Sequence, residues 1–415
     1  MSDRRQFCAG LAGMAVLPKI TWARVAAMKT VFYASAGAQL SLYQVDDRNL
    51  SLARDSTVTL PAAMQYGWPH PSGQFLYAAY SNRAGSNIGD TNGVSAFRID
   101  SKTGRLRPAG RSLKLSSRPI NITVDAKGAY LLVAYNDPSG VTVHPIDSDG
   151  SPGAAIRQGA SIDAGVYAHQ VRVAPSNRSV ILVTRGNDAT SAKPEDPGAI
   201  KVFEFRGGQL SDEQSIAPGN GFGFGPRHVD FHPSKPWMYV SMERENQLQV
   251  FGLQDGRLTL QSLFAKTTLL DPANVHPSQV VGPIHFSHDG KFVYLANRAD
   301  RTVDFQGKKV FAGGENNMAV FRVDQTTGNP TLIQNIDTQA FHARTFSIHP
   351  DGGMLVAASI APMFVRDGEQ VKQIPAALSV FRVKSDGRLT FVHKYEMEIG
   401  LGLSFWCRMF AIPGD

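Results

Sequence analysis

The side chains of this chain that could do chemistry sit at the ends of apolar runs. "GPRHVDFHPSKPWMYVSMERE" (225–245) opens on Arg227 and closes on Glu243, with alternating apolar residues between them. "AHQVRVAPSNRSVILVTR" (168–185) has His169 near its start and Arg185 at its end, and "IHFSHDGKFVYLANR" (284–298) ends on Arg298. A carboxylate or imidazole can take a proton from an attacking water. A guanidinium can stabilise the oxyanion that forms, and its planar fork grips carboxylate or phosphate. Together these groups suit proton transfer or hydrolysis on an anionic substrate. The histidines are dispersed and no H-x-H or H-E-x-x-H occurs, so no metal site and no cofactor is expected.

The elements that hold these residues repeat. A strand ending in a turn recurs as "LSLYQVDDRNLSL", "VSAFRIDSKTGRL", "VTVHPIDSDGSP", "IKVFEFRGGQL", "LQVFGLQDGRL", "MAVFRVDQTTGNP" and "LSVFRVKSDGRL". Aligning Tyr43, Phe97, His144, Phe203, Phe251, Phe321 and Phe381 spaces the copies by 54, 47, 59, 48, 70 and 60 residues. Before six of them stands a hairpin with a polar turn, such as "HPSGQFLYAAYSN" or "FSHDGKFVYLANR". Two hairpins make a four-stranded blade, and seven copies predict an all-β, seven-bladed propeller. The first copy lacks its hairpin. "GLGLSFWCRMFAIP" near the C-terminus can supply the missing strands, so both chain ends are expected to close the ring in one blade.

Counting from each hairpin turn puts Gln65, Ile120, His169, Arg227, Gly282 and Arg344 at the entrance of the first strands. Ser81, Asn136, Arg185, Glu243, Arg298 and Ile360 fall at the exit of the second. An antiparallel hairpin returns to its starting end, so both sets are expected on one rim of the central channel. There Glu243, His169, Arg227 and Arg298 would be the catalytic candidates, with Arg344, Asn136, His285 and Arg185 around the substrate. Each charged rim residue could equally pair with a neighbour and hold two blades together. Arg185 reads as a solvated or structural charge, and His228, next to Arg227, as a packing residue on the opposite face of its strand. Insertions at 191–198, 299–316 and 361–375 are candidate walls or lids.

Composition narrows the partners. The chain has 415 residues, 42% apolar and 19% charged, enough to bury a sizeable core. Residues 1–27 carry paired arginines (Arg4, Arg5), Phe7 and a short apolar run, the layout of a twin-arginine export signal too short to span a membrane stably. The signal implies the twin-arginine export machinery as a partner and a periplasmic or secreted product; a start at Met28 would instead leave the same chain in the cytoplasm. Setting that segment aside removes four basic residues and one acid, and the formal charge falls from +7 to +4. No basic run or aromatic-basic cluster appears, so nucleic acid is not an expected partner. Of two cysteines, Cys8 lies in the signal and Cys407 stands alone, which leaves no disulfide within the domain at 28–415.

At these residues the chain resembles the seven-bladed propeller lactonases, which include bacterial 6-phosphogluconolactonase and the fungal carboxymuconate-lactonizing enzyme. The resemblance runs through "GPRHVDFHP", "AYN" (134–136), "AHQVRVAPSNR" (168–178), "IHFSHDGKFVYLANR" and "ARTFSIHPDG" (343–352). It implies an active site of His169, Arg227, Arg298 and Glu243, and a lactone or carboxylate anion as substrate. The chain departs from the pattern at Met242, where the family usually has asparagine. The implied reaction is hydrolysis of a sugar-acid lactone, with Glu243 as first candidate for the base and His169 as second. A muconate-type cycloisomerase would use the same groups, and a non-catalytic propeller binding a small anion shares the fold.

Overall fold

A computed structural model describes residues 28–83, 89–400 and 402–413; the export segment expected at 1–27 lies outside the described residues. The polar turns of the repeats fold each strand back on its predecessor. Gly73, Gly128, Gly290 and Gly352 adopt φ between +71° and +83°, and each donates its N–H to the carbonyl three residues earlier at 2.8–3.0 Å. Asn177 takes the same role at φ +57° in the third copy. Glycine and asparagine tolerate this left-handed conformation, which explains the recurring S-G, K-G and D-G dipeptides.

Seven sheets result. Their innermost strands, in blade order, are Met64–Pro69, Pro119–Val124, Ala168–Val173, Pro226–Phe231, Val280–Phe286, Ala343–Ile348 and Cys407–Pro413. From blade 1 round to blade 7 these inner strands lie side by side and line the channel. In blade 7 the inner strand Cys407–Pro413 pairs antiparallel with Met28–Ala36, Val31 opposite Phe410, so the two ends of the chain close the ring as expected. The C-terminal segment supplies one strand, and the N-terminal segment supplies the other three.

No single core exists among the described residues; seven apolar clusters each straddle neighbouring blades. One joins Leu76, Ala78 and Phe97 of blade 1 to Tyr33, Leu42 and Ile412 of blade 7. Another joins Ile181 and Val202 of blade 3 to Val229, Val240 and Phe251 of blade 4. A tyrosine on the second strand latches some of these interfaces. The hydroxyls of Tyr33, Tyr239 and Tyr294 donate to the carbonyls of Gly104, Gly328 and Gly387 in the outer turn of the next blade. Gly387 must be glycine twice over: its φ is +82°, and a Cβ there would meet the Phe292 ring at 2.2 Å.

Blades 1 and 4 have five strands, the outer one in two pieces (Leu106–Pro108 with Leu113–Lys114, and Arg257–Leu258 with Phe264–Thr267). Two further features depart from seven uniform four-stranded blades. Blade 2 has three strands, because Pro145, Pro152 and Gly153 break the chain where a fourth would run, leaving an isolated bridge between Ile146 and Pro152. The insertions after Arg298 and Ile360 are not irregular loops. They form hairpins Thr302–Phe305 with Lys308–Phe311 and Met363–Asp367 with Gln370–Ile374, joined into one accessory sheet by a parallel contact of Val310 with Phe364. Both insertions leave from strand exits, as does the loop after Arg185, so all three project from the same rim.

Candidate active site

The entrance residues owe their direction to an irregularity repeated in six blades. Where each inner strand begins, its register against the second strand slips, leaving one extra residue: Gln65, Ile120, His169, Arg227, the pair Gly282–Pro283, or Arg344. A bulge bends the strand and turns the extra side chain out of alternation. Plain alternation would put Arg227 and His228 on opposite faces, yet both are buried at the channel. The His228 ring lies 5.1 Å from the ring of His169, centroid to centroid. The expectation that His228 packs on the far side fails because the strand slips between Pro226 and His228.

Glu243, 3% exposed, is the hub of the rim. Its Oε1 accepts hydrogen bonds from Nη1 of Arg227 and, at 2.8 Å, from Nη2 of Arg298; its Oε2 accepts from Nη1 of Arg185 at 3.0 Å. Three blades thus meet on one carboxylate. Of the two readings its sequence allowed, solvated or structural, Arg185 takes the structural one. It also bonds Asp188 at 3.1 Å and lies over the Tyr167 ring at 5.1 Å. Burial alone would raise the Glu243 pKa, but Arg227, Arg298 and Arg185 outweigh it and hold the group at about 2. The same burial, reinforced by Arg227 and opposed by Glu243, brings Arg298 down to about 9.

His169 differs in kind. Its ring is buried, Nδ1 has no hydrogen-bond partner, and burial together with Arg227, His228, Arg185 and Arg298 keeps its pKa well below the usual histidine range. It is a neutral imidazole facing a cationic wall. Nε and Nη2 of Arg227 and Nε of Arg298 are also buried without partners. Unpaired buried donors cost roughly 1–3 kcal/mol each, so the wall is built to receive acceptors.

Arg344 lines the same chamber as His169, its guanidinium 5.5 Å from the centre of the Phe405 ring and in no ion pair among the described residues. Asn136 lies further out, in a cleft with Tyr167 and Asp188. His285 sits deeper, its Nδ1 3.7 Å from Asp230 Oδ2 and its ring 4.9 Å from that of Phe346. The residue at the family's asparagine position, Met242, is fully buried in the cluster between blades 3 and 4. Of the insertions, the first is tied down by Arg244, which bonds Glu195 at 2.6 Å.

Two participants escaped the repeat alignment. His342 Nε2 is 3.0 Å from Arg298 Nη1, and its Nδ1 is 3.2 Å from Asp300. It holds φ at +54°, fixed by an N–H bond to Asn316 Oδ1 at 2.7 Å. Phe341 beside it packs on Phe311 of the accessory sheet at 4.6 Å, which ties the insertion to the site. Arg118 donates to Gln65 at 2.8 Å, and burial lowers its pKa. His342 and Arg118 stand two residues before entrance positions Arg344 and Ile120; widening the window by two residues would have found them. Among the described residues, the one trio of metal-ligand type, Asp47, His349 and Asp351, lies away from this rim at turns of blades 6 and 7.

A closed ring of seven sheets thus carries, at one mouth, a neutral imidazole beside an arginine-rich, partly unpaired wall. The chain belongs to the lactonase family of seven-bladed β-propellers, whose model matches residues 27–361. It is 26% identical over 303 residues to the 6-phosphogluconolactonase of Bacillus subtilis, covering 69% of this chain and 78% of the relative. Over 342 residues it is 24% identical to that of Serratia proteamaculans, covering 74% and 95%. Among solved structures, the periplasmic gluconolactonase of Pseudomonas aeruginosa shares the fold with a TM-score of 0.68 at 19% identity, covering 93% of this chain and all of that one.

Proposed function

We propose that the chain hydrolyses the lactone ring of an anionic sugar acid, and that His169, Arg227, Arg298 and Glu243 do the work. The observation that carries this reading is the division of labour at the rim: Glu243 is saturated by three guanidinium groups, while His169 is neutral and has a free ring nitrogen. A carboxylate held at about 2 is a poor base near neutral pH. The order expected from sequence, Glu243 before His169, is therefore reversed. His169 takes the proton of the attacking water, and Arg227 and Arg298 stabilise the carbonyl oxygen as charge builds, roughly 3–4 kcal/mol for one well-aimed donor. Glu243 positions the arginines. Arg344 anchors the substrate's anionic group, with Asn136 at the margin of the site. A bound anion offsets the field of Arg227 and Arg298 and so lifts the basicity of His169 when substrate is in place.

The names of the relatives support a sugar-acid lactone; whether this substrate carries phosphate is the finer question. Export by residues 1–27 favours an unphosphorylated lactone of the periplasm. The test is a panel of aldonic and aldaric lactones, with and without phosphate, assayed by acid release on cell fractions. Turnover is expected in the periplasmic fraction and should move to the cytoplasm when Arg4 and Arg5 are both lysine. No lactone turned over faster than in buffer would overturn the hydrolase reading.

A further inference from the structure

The channel continues below the active-site chamber into a second chamber with its own unspent charge. Tyr66, His285 and Thr345 line both, forming the floor of the upper and the ceiling of the lower. The lower cavity, about 180 Å³, is bounded by Asp230 on one side and Arg408 of the closing strand on the other. Its electrostatics do not close. Asp230 is fully engaged: Oδ1 accepts from Arg172 Nη2 at 3.1 Å and from its neighbour's N–H (Phe231) at 3.0 Å, and Oδ2 accepts from the Phe286 N–H at 3.1 Å, with His285 at 3.7 Å. Arg408 has no hydrogen bond or ion pair among the described residues. Its guanidinium rests on the Trp68 ring at 4.6 Å, and that of Arg172 approaches the same ring at 5.0 Å.

Two cations thus share one indole, with one carboxylate already committed to one of them. A cation–π contact offsets part of the hydration that a guanidinium loses, but it leaves all five N–H donors free. Burial, with Arg172 adding to it, lowers the Arg408 pKa, and the opposing influence of Tyr66 and Asp230 does not make up the difference. We propose that this lower chamber is a second anion site, in which the fork of Arg408 takes two oxygens of a small oxyanion, phosphate or carboxylate, with Tyr66 and His285 completing the shell. The site is distinct from the Glu243 rim and does not depend on the lactone reading.

Inorganic phosphate and gluconate, titrated separately by calorimetry, test the site and distinguish the two oxyanion sources. With Arg227→Met, which removes one guanidinium of the upper rim and leaves Arg298 and Arg344 in place, at least one of the two anions is expected to bind still. Arg408→Gln is expected to weaken that remaining event at least tenfold. Arg408→Lys, which keeps the charge and loses the fork, guards against a folding defect and is expected to weaken it several-fold at an unchanged thermal midpoint. Quenching of tryptophan fluorescence, with Trp68 at the site, gives a second readout. The proposal is overturned if Arg227→Met abolishes all binding, if Arg408→Gln and Arg408→Lys titrate like the parent chain, or if neither anion binds the parent.

Discussion

Glu243 and His169 are both buried at one rim, yet they answer differently to substitution. Glu243→Gln removes the one negative charge on which Arg185, Arg227 and Arg298 converge. Breaking a buried pair by deleting one partner typically costs about 3–5 kcal/mol, and the variant is expected to lose stability on that scale along with activity. The sign follows from the pKa. A carboxyl held at about 2 instead of its ordinary 4.5 contributes stability that is fully present above 4.5 and disappears as pH falls toward 2, in all about 3 kcal/mol. His169→Asn, by contrast, removes a ring with no hydrogen bond to protein. Turnover is expected to fall by roughly 10²–10⁴ with a nearly unchanged thermal midpoint. A base whose pKa is lowered by burial and neighbouring arginines stays neutral below the usual pH. The acid limb of kcat/KM is therefore expected well below about 6.5, the unperturbed histidine value. Bound substrate counters the arginines, so the limb of kcat should lie higher than that of kcat/KM. Coincident limbs, or a limb that survives in His169→Asn, would remove His169 from the role of base.

The element that makes this site is the bulge at the head of each inner strand. Its position was legible: counting back from the turns selected Gln65, Ile120, His169, Arg227, Gly282 and Arg344, and these are the residues left over when the ladders slip. Its geometry was not, since period-two reasoning carries no signal for an extra residue; hence His228 was placed on the wrong face. The choice between a solvated and a structural Arg185 was not legible, because its partner lies 58 residues away on the next blade and sequence gives rim membership without pairing. The third copy of the strand-turn pattern carries Pro145 and Pro152, and there the repeat yields a blade of three strands instead of four. Blade 5 offers a direct test, because its bulge holds Gly282–Pro283. A Cβ at Gly282 would lie 2.6 Å from Arg298 Nε and 3.0 Å from its Cζ. Arg298 is fixed by Glu243 at 2.8 Å and His342 at 3.0 Å, so the middle of its side chain has no room to give. Gly282→Ala is expected to displace that guanidinium from Glu243, lowering kcat/KM by roughly 10²-fold, the scale of losing one oxyanion donor, together with a measurable loss of stability. An unchanged kcat/KM would take Arg298 out of the transition-state wall.

For the whole molecule, the distinctive liability is closure. The inner strand of blade 7 comes from the last described residues and pairs with the first, Met28 opposite Pro413, so the contact that completes the ring spans nearly the entire chain. Joining ends across some 385 residues costs about 5 kcal/mol of loop entropy by the logarithmic law, which does not become favourable until the intervening blades are docked. The closing strand is therefore expected to form late. Both interfaces of blade 7 depend on it: Ile412 fills the cluster shared with blade 1, and Cys407 and Met409 fill the one shared with blade 6. Ile412→Ala, at a fully buried position, should cost about 2–5 kcal/mol. If closure follows the rate-limiting step, nearly all of that loss appears as faster unfolding and the refolding rate is unchanged. Val240→Ala, inside the continuous middle of the chain, is the comparison and is expected to divide its loss between both rates. Denaturant-jump kinetics on the two variants decide the matter: slower refolding of Ile412→Ala by the full stability loss would mean that the ends meet early and the blades assemble within an already closed ring.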